Sequence, residues 1–242
     1  MLALLLGVLC AGSDALAHPP LPLRFYTELP EPDPLTFWEA TWKYLVLGFE
    51  HILPKGLDHI LFVLALFLLS KHLKPLFLQI SVFTIAHTVT LALSTLEVIS
   101  LPGEIVEPLI ALSIAFVAVE NVFISSLKVW RYGVIFLFGL LHGMGFAGVL
   151  SEIGLPDEQF LISLLSFNVG VEVGQVTVVG LAFLAVVFFR DRVWYRRRVV
   201  IPASAIIAAV GLYWTAERLL VEPPVEIEPV NSRWRAPSSP PL

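Results

Sequence analysis

Ionisable side chains recur inside stretches of this chain that are otherwise apolar. One pair, Asp58 and His59, opens an uncharged run that continues to Leu69, and further such residues, among them His87, His142 and Glu172, lie within later apolar runs. An ionisable group in hydrocarbon is costly unless it is paired, binds a metal or faces water, so each one is a functional candidate. Imidazole and carboxylate groups suit zinc, nickel, copper(II) or ferrous iron, and ligand type alone does not select among these ions. We therefore predict a site for a divalent transition metal ion whose ligands are Asp58, His59, His87, His142 and Glu172.

Further polar residues accompany these candidates in the sequence. Glu50 and His51 come shortly before the first pair. Asn168 and Gln175 lie on the same helix face as Glu172, because the three are spaced i, i+4 and i+7. We predict that Glu50 and His51 belong to an outer entrance, and that Asn168 and Gln175 orient the ligands of a deeper site.

Each candidate ligand also has a structural alternative. His87 could hydrogen-bond a backbone carbonyl or a threonine and hold neighbouring helices together, and His142 could be a packing residue beside its glycines. Asp58 could cap the N-terminus of the helix that follows it. Glu172 could be a protonated acid bonded to another helix, since an unpaired carboxylate at that depth would be costly. The alternatives stay open for single residues, whereas the overlapping depth of several such groups favours one common site.

The composition is that of a helical membrane protein. Hydrophobic residues make up 57% of the chain and charged residues only 14%, unlike an average soluble domain. Several uncharged runs approach the roughly 20 residues that cross a bilayer core. We predict an all-α membrane protein with six transmembrane helices, at residues 56–70, 75–96, 105–125, 130–150, 160–189 and 199–220.

Both ends of the chain lie outside this predicted helical domain, which covers residues 56–220. Residues 1–17 end in small residues and resemble a signal peptide that is cleaved after Ala17. Residues 18–35 are proline-rich and are predicted to form an extracytoplasmic arm. Residues 221–242 are rich in Pro, Glu and Ser and are predicted to be a disordered extracytoplasmic tail.

The segment between the arm and the first predicted span, residues 36–55, is rich in aromatic residues. Thr36 is a suitable N-cap for a helix there. Aromatic, amphipathic segments of this length are typical of the membrane interface. Pro54 and Gly56 then interrupt the chain. We predict an interfacial or re-entrant helix that is hinged to the first span.

Loops of opposite charge alternate along the predicted helices. Lys71 and Lys74 follow the first span, Lys128 and Arg131 precede the fourth, and five arginines lie between the fifth and the sixth. The intervening loops carry Glu or Asp without Lys or Arg. By the positive-inside rule, the basic loops are cytoplasmic. Both termini are then extracytoplasmic, in the inner membrane of a bacterium, which agrees with the predicted signal peptide.

Four motifs follow one another along the apolar segments. They are residues 56–63 (GLDHILFV), 83–91 (FTIAHTVTL), 138–147 (FGLLHGMGFA) and 167–175 (FNVGVEVGQ). Together they resemble the HupE/UreJ family, and specifically its second branch. The resemblance implies a hydrogenase or urease accessory protein, related to a better-known branch that contains nickel permeases. It also implies that Asp58, His59 and His142 are metal-handling positions, with His51 as a looser match.

These features predict membrane transport of a metal ion. The expected protein is a permease for a divalent transition metal ion, with nickel favoured by the resemblance. Asp58 and His59 would extend the outer entrance, and His87, His142 and Glu172 would form the deeper site. The alternatives are an intramembrane metal-binding enzyme, in which an open coordination position activates water or oxygen, and a membrane accessory or scaffold protein for metalloenzyme maturation.

The expected partners follow from the same reasoning. They are the lipid bilayer and the metal ion, together with a second copy of the chain or metalloenzyme maturation proteins. No nucleic-acid-binding surface is predicted. The chain has no Walker-type phosphate loop, and its one cysteine, Cys10, lies in the predicted leader. Thiolate ligation and direct use of ATP are therefore not expected.

Overall fold

The computed structural model describes residues 35–70, 72–153 and 157–220. The predicted signal peptide, nearly all of the predicted arm and the predicted tail lie outside these residues. What the sequence indicates about those segments therefore stays a prediction.

Helices supply the regular secondary structure of the described residues, which contain no strand. A 3₁₀ turn, Asp157–Gln159, and a π-helical turn, Arg196–Val200, accompany the α-helices. The predicted all-α class is therefore confirmed for this part of the chain. In order, the α-helices are α1 (Phe37–Ile52), α2 (Leu57–Leu69), α3 (Leu73–Thr95), α4 (Gly103–Phe123), α5 (Trp130–Ile153), α6 (Phe160–Val186) and α7 (Ile201–Leu220).

Local sequence explains where α1 begins and where it ends. The Thr36 hydroxyl accepts a hydrogen bond from the Glu39 backbone N–H at 3.4 Å, and the Glu39 carboxylate accepts one from the Thr36 N–H at 2.8 Å. This reciprocal capping box satisfies two donors at the helix N-terminus. Pro54 cannot donate a backbone hydrogen bond, so it does not continue the helix. The chain bends by 69° between α1 and α2.

Four helices of the described residues are long and apolar enough to cross a membrane. They are α3, α4, α6, and α7 together with its preceding π-helical turn. The bent pair of α1 and α2 passes the same test as one unit, which raises the number to five. The prediction of a multi-span helical protein is confirmed at this level.

Helix α2 differs from the complete first span that the sequence predicted at residues 56–70. It has 13 residues, which corresponds to about 20 Å of helix, whereas a bilayer core is about 30 Å thick. It reaches that thickness only together with α1. The hydropathy of residues 56–70 did not reveal this difference. It shows that the segment is apolar, but it does not show that the preceding helix forms the other part of the same span.

Helix α2 lies at the centre of the bundle. It contacts α3, α4, α6 and α7, and its buried residues include His59, Phe62, Val63, Ala65 and Leu66. A helix that is apolar all round is typical of a protein core or of a membrane span. The central position of α2 also takes His59 away from the periphery.

Helix α1 packs lengthwise along the first half of α6. A methyl group on Gly170 would collide with the Leu45 carbonyl, so the two backbones approach more closely than any larger residue allows. Small residues serve this purpose at membrane helix interfaces. The Gln159 side chain donates to the Leu35 carbonyl at one end, and Gly174 meets Ile52 at the other. The two helices therefore run in the same direction, and α1 ends beside the middle of α6.

Candidate metal centre

The break between α1 and α2 brings two histidines together. His51 lies in the last turn of α1, and His59 lies in the first turn of α2. Their ring centroids are 4.8 Å apart. In one straight helix, residues eight positions apart would be about 12 Å apart along the axis. The bend therefore creates the contact.

Two further helices add one imidazole each. The His87 ring, from α3, lies 5.9 Å from His59 and 6.2 Å from His51. The His142 ring, from α5, lies 5.0 Å from His59. We call His51, His59, His87 and His142 the imidazole cluster. It joins one side chain from each of four helices.

The cluster leaves four buried nitrogen atoms without a hydrogen-bond partner. They are the Nε2 atoms of His51, His59, His87 and His142. Buried polar atoms are almost always hydrogen-bonded, so an orphaned group requires an explanation. Four orphaned atoms of the same kind in one place indicate a ligand that they share.

The other ring nitrogen of three cluster members is held in place. Nδ1 of His59 lies 3.1 Å from Asp58 Oδ1, and Nδ1 of His87 lies 3.2 Å from Asn168 Oδ1. Nδ1 of His142 lies 2.8 Å from the Phe138 carbonyl. All three partners are acceptors, so in each ring Nδ1 carries the proton and Nε2 carries the lone pair. Metal-binding histidines are commonly oriented in this way.

The distances also fit a shared ion. One possible ligand atom from each of His51, His59 and His87 can be chosen so that all three lie within 4.8 Å of one another. Two nitrogens that bind one metal at about 2.1 Å are at most about 4.2 Å apart. Small side-chain movements would therefore bring these ligands onto one ion. His142 lies outside this set of three, with its ring 5.0 Å from that of His59.

Aromatic rings line the cluster. Phe146 lies 4.0 Å from His51 between ring centroids, and Phe83 lies 5.0 Å from His142. Phe62 lies 5.3 Å from His142. These side chains exclude water, which strengthens any electrostatic contact with an ion at the imidazoles.

A close approach of α5 to α3 allows His142 and His87 to lie at the same level. A methyl group on Gly143 would collide with the Thr90 hydroxyl and the His87 carbonyl. Glycine therefore sets the distance between these two helices next to the cluster. The sequence contains this signal, because Gly143 directly follows His142.

Two of the predicted residues support the cluster without joining it. Asp58 contacts the ring and the backbone N–H of His59, the latter at 2.8 Å. The N-cap of α2 is Gly56, without a side-chain cap, so Asp58 is not the cap that the structural alternative required. Asn168 donates to the Leu164 carbonyl at 2.8 Å, which directs its oxygen towards His87.

Three predicted residues lie elsewhere. Glu50 pairs with Lys55 at 2.7 Å on the surface. Glu172 accepts from the Ser81 hydroxyl at 3.0 Å and lines a side cavity of about 490 Å³ between α3 and α6. Gln175 accepts from the Thr84 hydroxyl at 3.1 Å. These three side chains have no contact with the imidazole cluster among the contacts described for them.

His51 departs from its prediction in the opposite way. The sequence placed it at an outer entrance, and the structure places it among the other imidazoles. His59 likewise lies beside His87 and His142, without a separation into an outer and a deeper group. The signal that could have placed His51 was its loose match to the first family motif.

A second buried polar group was missed by the sequence reasoning. Arg131 was assigned to a basic loop, but it lies in the first turn of α5 with 1% of its surface exposed. Its guanidinium donates to Glu120, to Gln79 Oε1 at 3.1 Å and to Asn121 Oδ1 at 3.4 Å. We call Arg131, Glu120, Gln79 and Asn121 the Arg131 network. The polar pair Glu120 and Asn121 inside an apolar run was the available signal.

Comparison with known proteins relates the chain to a family. A family model described as "HupE / UreJ protein" matches residues 30–218. This range includes the imidazole cluster and the Arg131 network. No match was found among curated proteins or among solved structures.

Proposed function

The chain belongs to the HupE / UreJ family, and we propose that it is a membrane permease that carries a divalent transition metal ion, with nickel favoured, through the imidazole cluster. The observation that supports this most strongly is the set of four buried Nε2 atoms without a hydrogen-bond partner. Nitrogen donors of this type bind nickel, copper, zinc and ferrous ions. Nickel is preferred on the basis of the family.

The donor set suits an ion in transit. The imidazoles of the cluster are neutral when they bind a metal, and Asp58 supplies a negative charge next to His59. A divalent ion is therefore only partly neutralised there. Conduction requires a site that is favourable enough to enter and weak enough to leave. The single cysteine at position 10 offers no thiolate within the described residues.

The proposal includes a specific membrane topology. The bent pair of α1 and α2 makes the first crossing, and α3 to α7 make five more, which gives six crossings with both termini outside. Helix α1 accompanies α6 inward to its middle, and α2 continues to the end at which Arg190 donates to the Ser70 carbonyl. The basic loops of the sequence then share the cytoplasmic side of a bacterial inner membrane.

In this topology the cluster lies near the middle of the membrane. His87 is eight residues from Thr95, the last residue of α3, which corresponds to about 12 Å of a core about 30 Å thick. Binding sites at discontinuous helices near the midplane are typical of transporters. The break between α1 and α2 supplies such a discontinuity beside His51 and His59.

Metal uptake into reconstituted vesicles tests the proposal. The purified full chain is placed in phospholipid vesicles that contain a nickel-sensitive dye, and initial uptake is compared for the wild type, His59→Ala and His142→Ala. We expect uptake by both variants to fall to nearly the rate of empty vesicles, since each loses one orphaned nitrogen. Thr95→Ala is the matched control, because it removes a partly buried hydroxyl of α3 that lies away from the cluster. We expect this variant to transport nickel at the wild-type rate.

Two results would contradict this function. The first is unchanged uptake in both histidine variants at equal reconstituted amounts of folded protein. The second is a wild-type protein that keeps one metal ion per chain through purification and passes none across vesicles, which is the behaviour expected of a metalloenzyme. Thermal unfolding of each variant in detergent separates lost transport from lost folding.

A further inference from the structure

A second cavity lies at the opposite end of α2 from His59. It has a volume of about 500 Å³ and is enclosed by the C-terminal end of α2, the turn into α3 and the connection between α6 and α7. We call it the basic cavity. Its polar lining consists of Ser70, His72, Ser125, Arg190, Arg192, Tyr195 and Arg196, with Asp191 as its acidic residue.

The basic cavity has an excess of positive charge. Three guanidinium groups face one carboxylate. Two of the guanidiniums are held by the protein itself, since Arg190 donates to the Ser70 carbonyl and Arg196 donates to the Val122 carbonyl at 3.2 Å. A guanidinium has five N–H donors, so each retains donors for a ligand after making these bonds.

Aromatic contacts fix the Arg190 side chain further. Its guanidinium lies 5.2 Å from the centre of the Phe67 ring and 5.7 Å from that of Phe183. Cation–π contacts of this kind restrict where the group can move. The donors of Arg190 are therefore directed before any ligand binds, which lowers the entropic cost of binding.

The chemistry of the lining selects a phosphate group. Guanidinium groups match phosphate oxygens in geometry and charge better than any other side chain. The hydroxyl of Ser125, which is exposed, can add a neutral hydrogen bond to the same ligand. A volume of about 500 Å³ is also within the range of ordinary small-ligand sites.

The surroundings of the cavity indicate that this phosphate belongs to a lipid. Val193, which lines the cavity, is fully exposed, and Phe188 nearby is 81% exposed. Trp194, a residue type enriched at membrane interfaces, lies beside them in sequence and is 39% exposed. A soluble anion would leave this apolar surface uncovered, whereas the glycerol and acyl portion of a phospholipid would cover it. We propose that the basic cavity binds the phosphodiester headgroup of an anionic phospholipid.

Lipid binding at this place would act on the central helix. The Ser70 hydroxyl accepts from Gln79 Nε2 at 3.2 Å, and Gln79 in turn accepts from Arg131. The cavity wall is thus connected to the Arg131 network and to the end of α2. An occupied cavity holds that end, which supports the helix that carries His59 at its other end.

Lipid titration with two exposed arginines distinguishes the cavity from general surface charge. Arg192 and Arg197 are both exposed and lie in the same connection, but only Arg192 lines the cavity. Phosphatidylglycerol is added to the delipidated full chain, and the bound lipid is counted by native mass spectrometry. Each guanidinium near an anionic lipid contributes enough to change the affinity about fivefold. We expect about fivefold weaker binding in Arg192→Gln and Arg196→Gln, and wild-type binding in Arg197→Gln.

The controls decide the source of the phosphate and the site. Phosphatidylcholine should bind equally weakly to all four proteins, and millimolar inorganic phosphate should not displace phosphatidylglycerol. Equal losses in Arg192→Gln and Arg197→Gln would overturn the cavity, since they would indicate only surface charge. Full displacement by inorganic phosphate would overturn a lipid ligand. Because Arg192 is exposed, its substitution tests the site even if Arg196→Gln fails to fold, and neither readout depends on metal transport.

Discussion

The imidazole cluster and the Arg131 network are both buried polar groups of the same bundle, but they use their hydrogen-bonding capacity differently. The guanidinium of Arg131 finds Glu120, Gln79 and Asn121 within the protein. The cluster satisfies Nδ1 in three rings and leaves every Nε2 without a partner. The network is thus largely closed on itself, and the cluster is open to an ion.

Charge separates the two regions in the same way. Arg131 and Glu120 neutralise each other, so the network has no need of a further ion. Glu120 Oε1 is its one orphaned atom among the described side chains. The cluster has one adjoining charged group, Asp58, and four neutral imidazole nitrogens that can bind a metal ion. Burial of polar groups alone does not mark a functional site. Several buried ligand atoms that lie close together without hydrogen-bond partners do.

The largest expected effect comes from breaking the network. Arg131→Met leaves the Glu120 carboxylate buried without its partner, and removal of one member of a buried ion pair typically costs about 3–5 kcal/mol. We expect a loss of that size in the free energy of unfolding, measured by denaturant unfolding in detergent micelles. Nickel binding per folded molecule should stay near the wild-type value, because the cluster is untouched.

A double variant provides the control for that experiment. Arg131→Met combined with Glu120→Leu removes both charges, and a buried pair replaced by apolar residues is often nearly neutral in stability. We expect the double variant to recover much of the loss. A double variant that is no more stable than Arg131→Met would contradict a network held together by this pair.

Sequence reasoning found the helical class and most of the cluster, because both depend on position along the chain. Counting residues from the predicted membrane boundary placed His87 and His142 at similar depths, and the structure brings their rings to one site around His59. The same counting could not place His51. Its position depends on the angle between α1 and α2, which cannot be obtained by counting residues along the sequence.

The same limit explains why Glu172 was predicted as a ligand although it does not contact the imidazole cluster. The sequence indicates the depth of a residue in the membrane but not which residue lies opposite it. The predicted polar stripe of Asn168, Glu172 and Gln175 does face α3 along its whole length, through His87, Ser81 and Thr84 respectively. Only Asn168 meets a histidine. Spacing on one helix defines a face, but the residues opposite that face depend on the register of the neighbouring helix.

Arg131 shows a limit of assigning basic residues to loops by their charge. A basic residue next to Lys128 is ordinarily a loop residue of the cytoplasmic side, and the positive-inside rule treats it so. The structure instead buries it in α5. Its partners, Glu120 and Gln79, lie on two other helices, 11 and 52 positions away in the sequence. Charge counting cannot anticipate a pair of this kind.

An intermediate effect is expected where the cluster depends on backbone approach. Gly143→Ala places a methyl group against the Thr90 hydroxyl and the His87 carbonyl, and overpacking of this kind typically costs about 1–3 kcal/mol. We expect a lower unfolding free energy together with weaker nickel binding, measured by calorimetry. Gly133→Ala, in the same helix, is the matched control, because its added methyl meets no atom within 4 Å. Equal behaviour of the two variants would contradict a close approach of α5 and α3 at the cluster.

The smallest effect distinguishes a residue that positions a ligand from its neighbour on the same stripe. Asn168→Ala frees Nδ1 of His87 from its acceptor, and loss of such a partner typically costs about 10–100-fold in metal affinity. Gln175→Ala removes a buried amide of the same helix that meets Thr84 and no imidazole. We expect nickel affinity, measured by calorimetry, to fall about tenfold in the first variant and to stay near the wild-type value in the second. A conservative Asn168→Asp change, which restores an acceptor at Nδ1, should recover most of the affinity. Equal losses in Asn168→Ala and Gln175→Ala would mean that the stripe acts through packing, and Asn168 would then have no separate role in orienting the His87 ring.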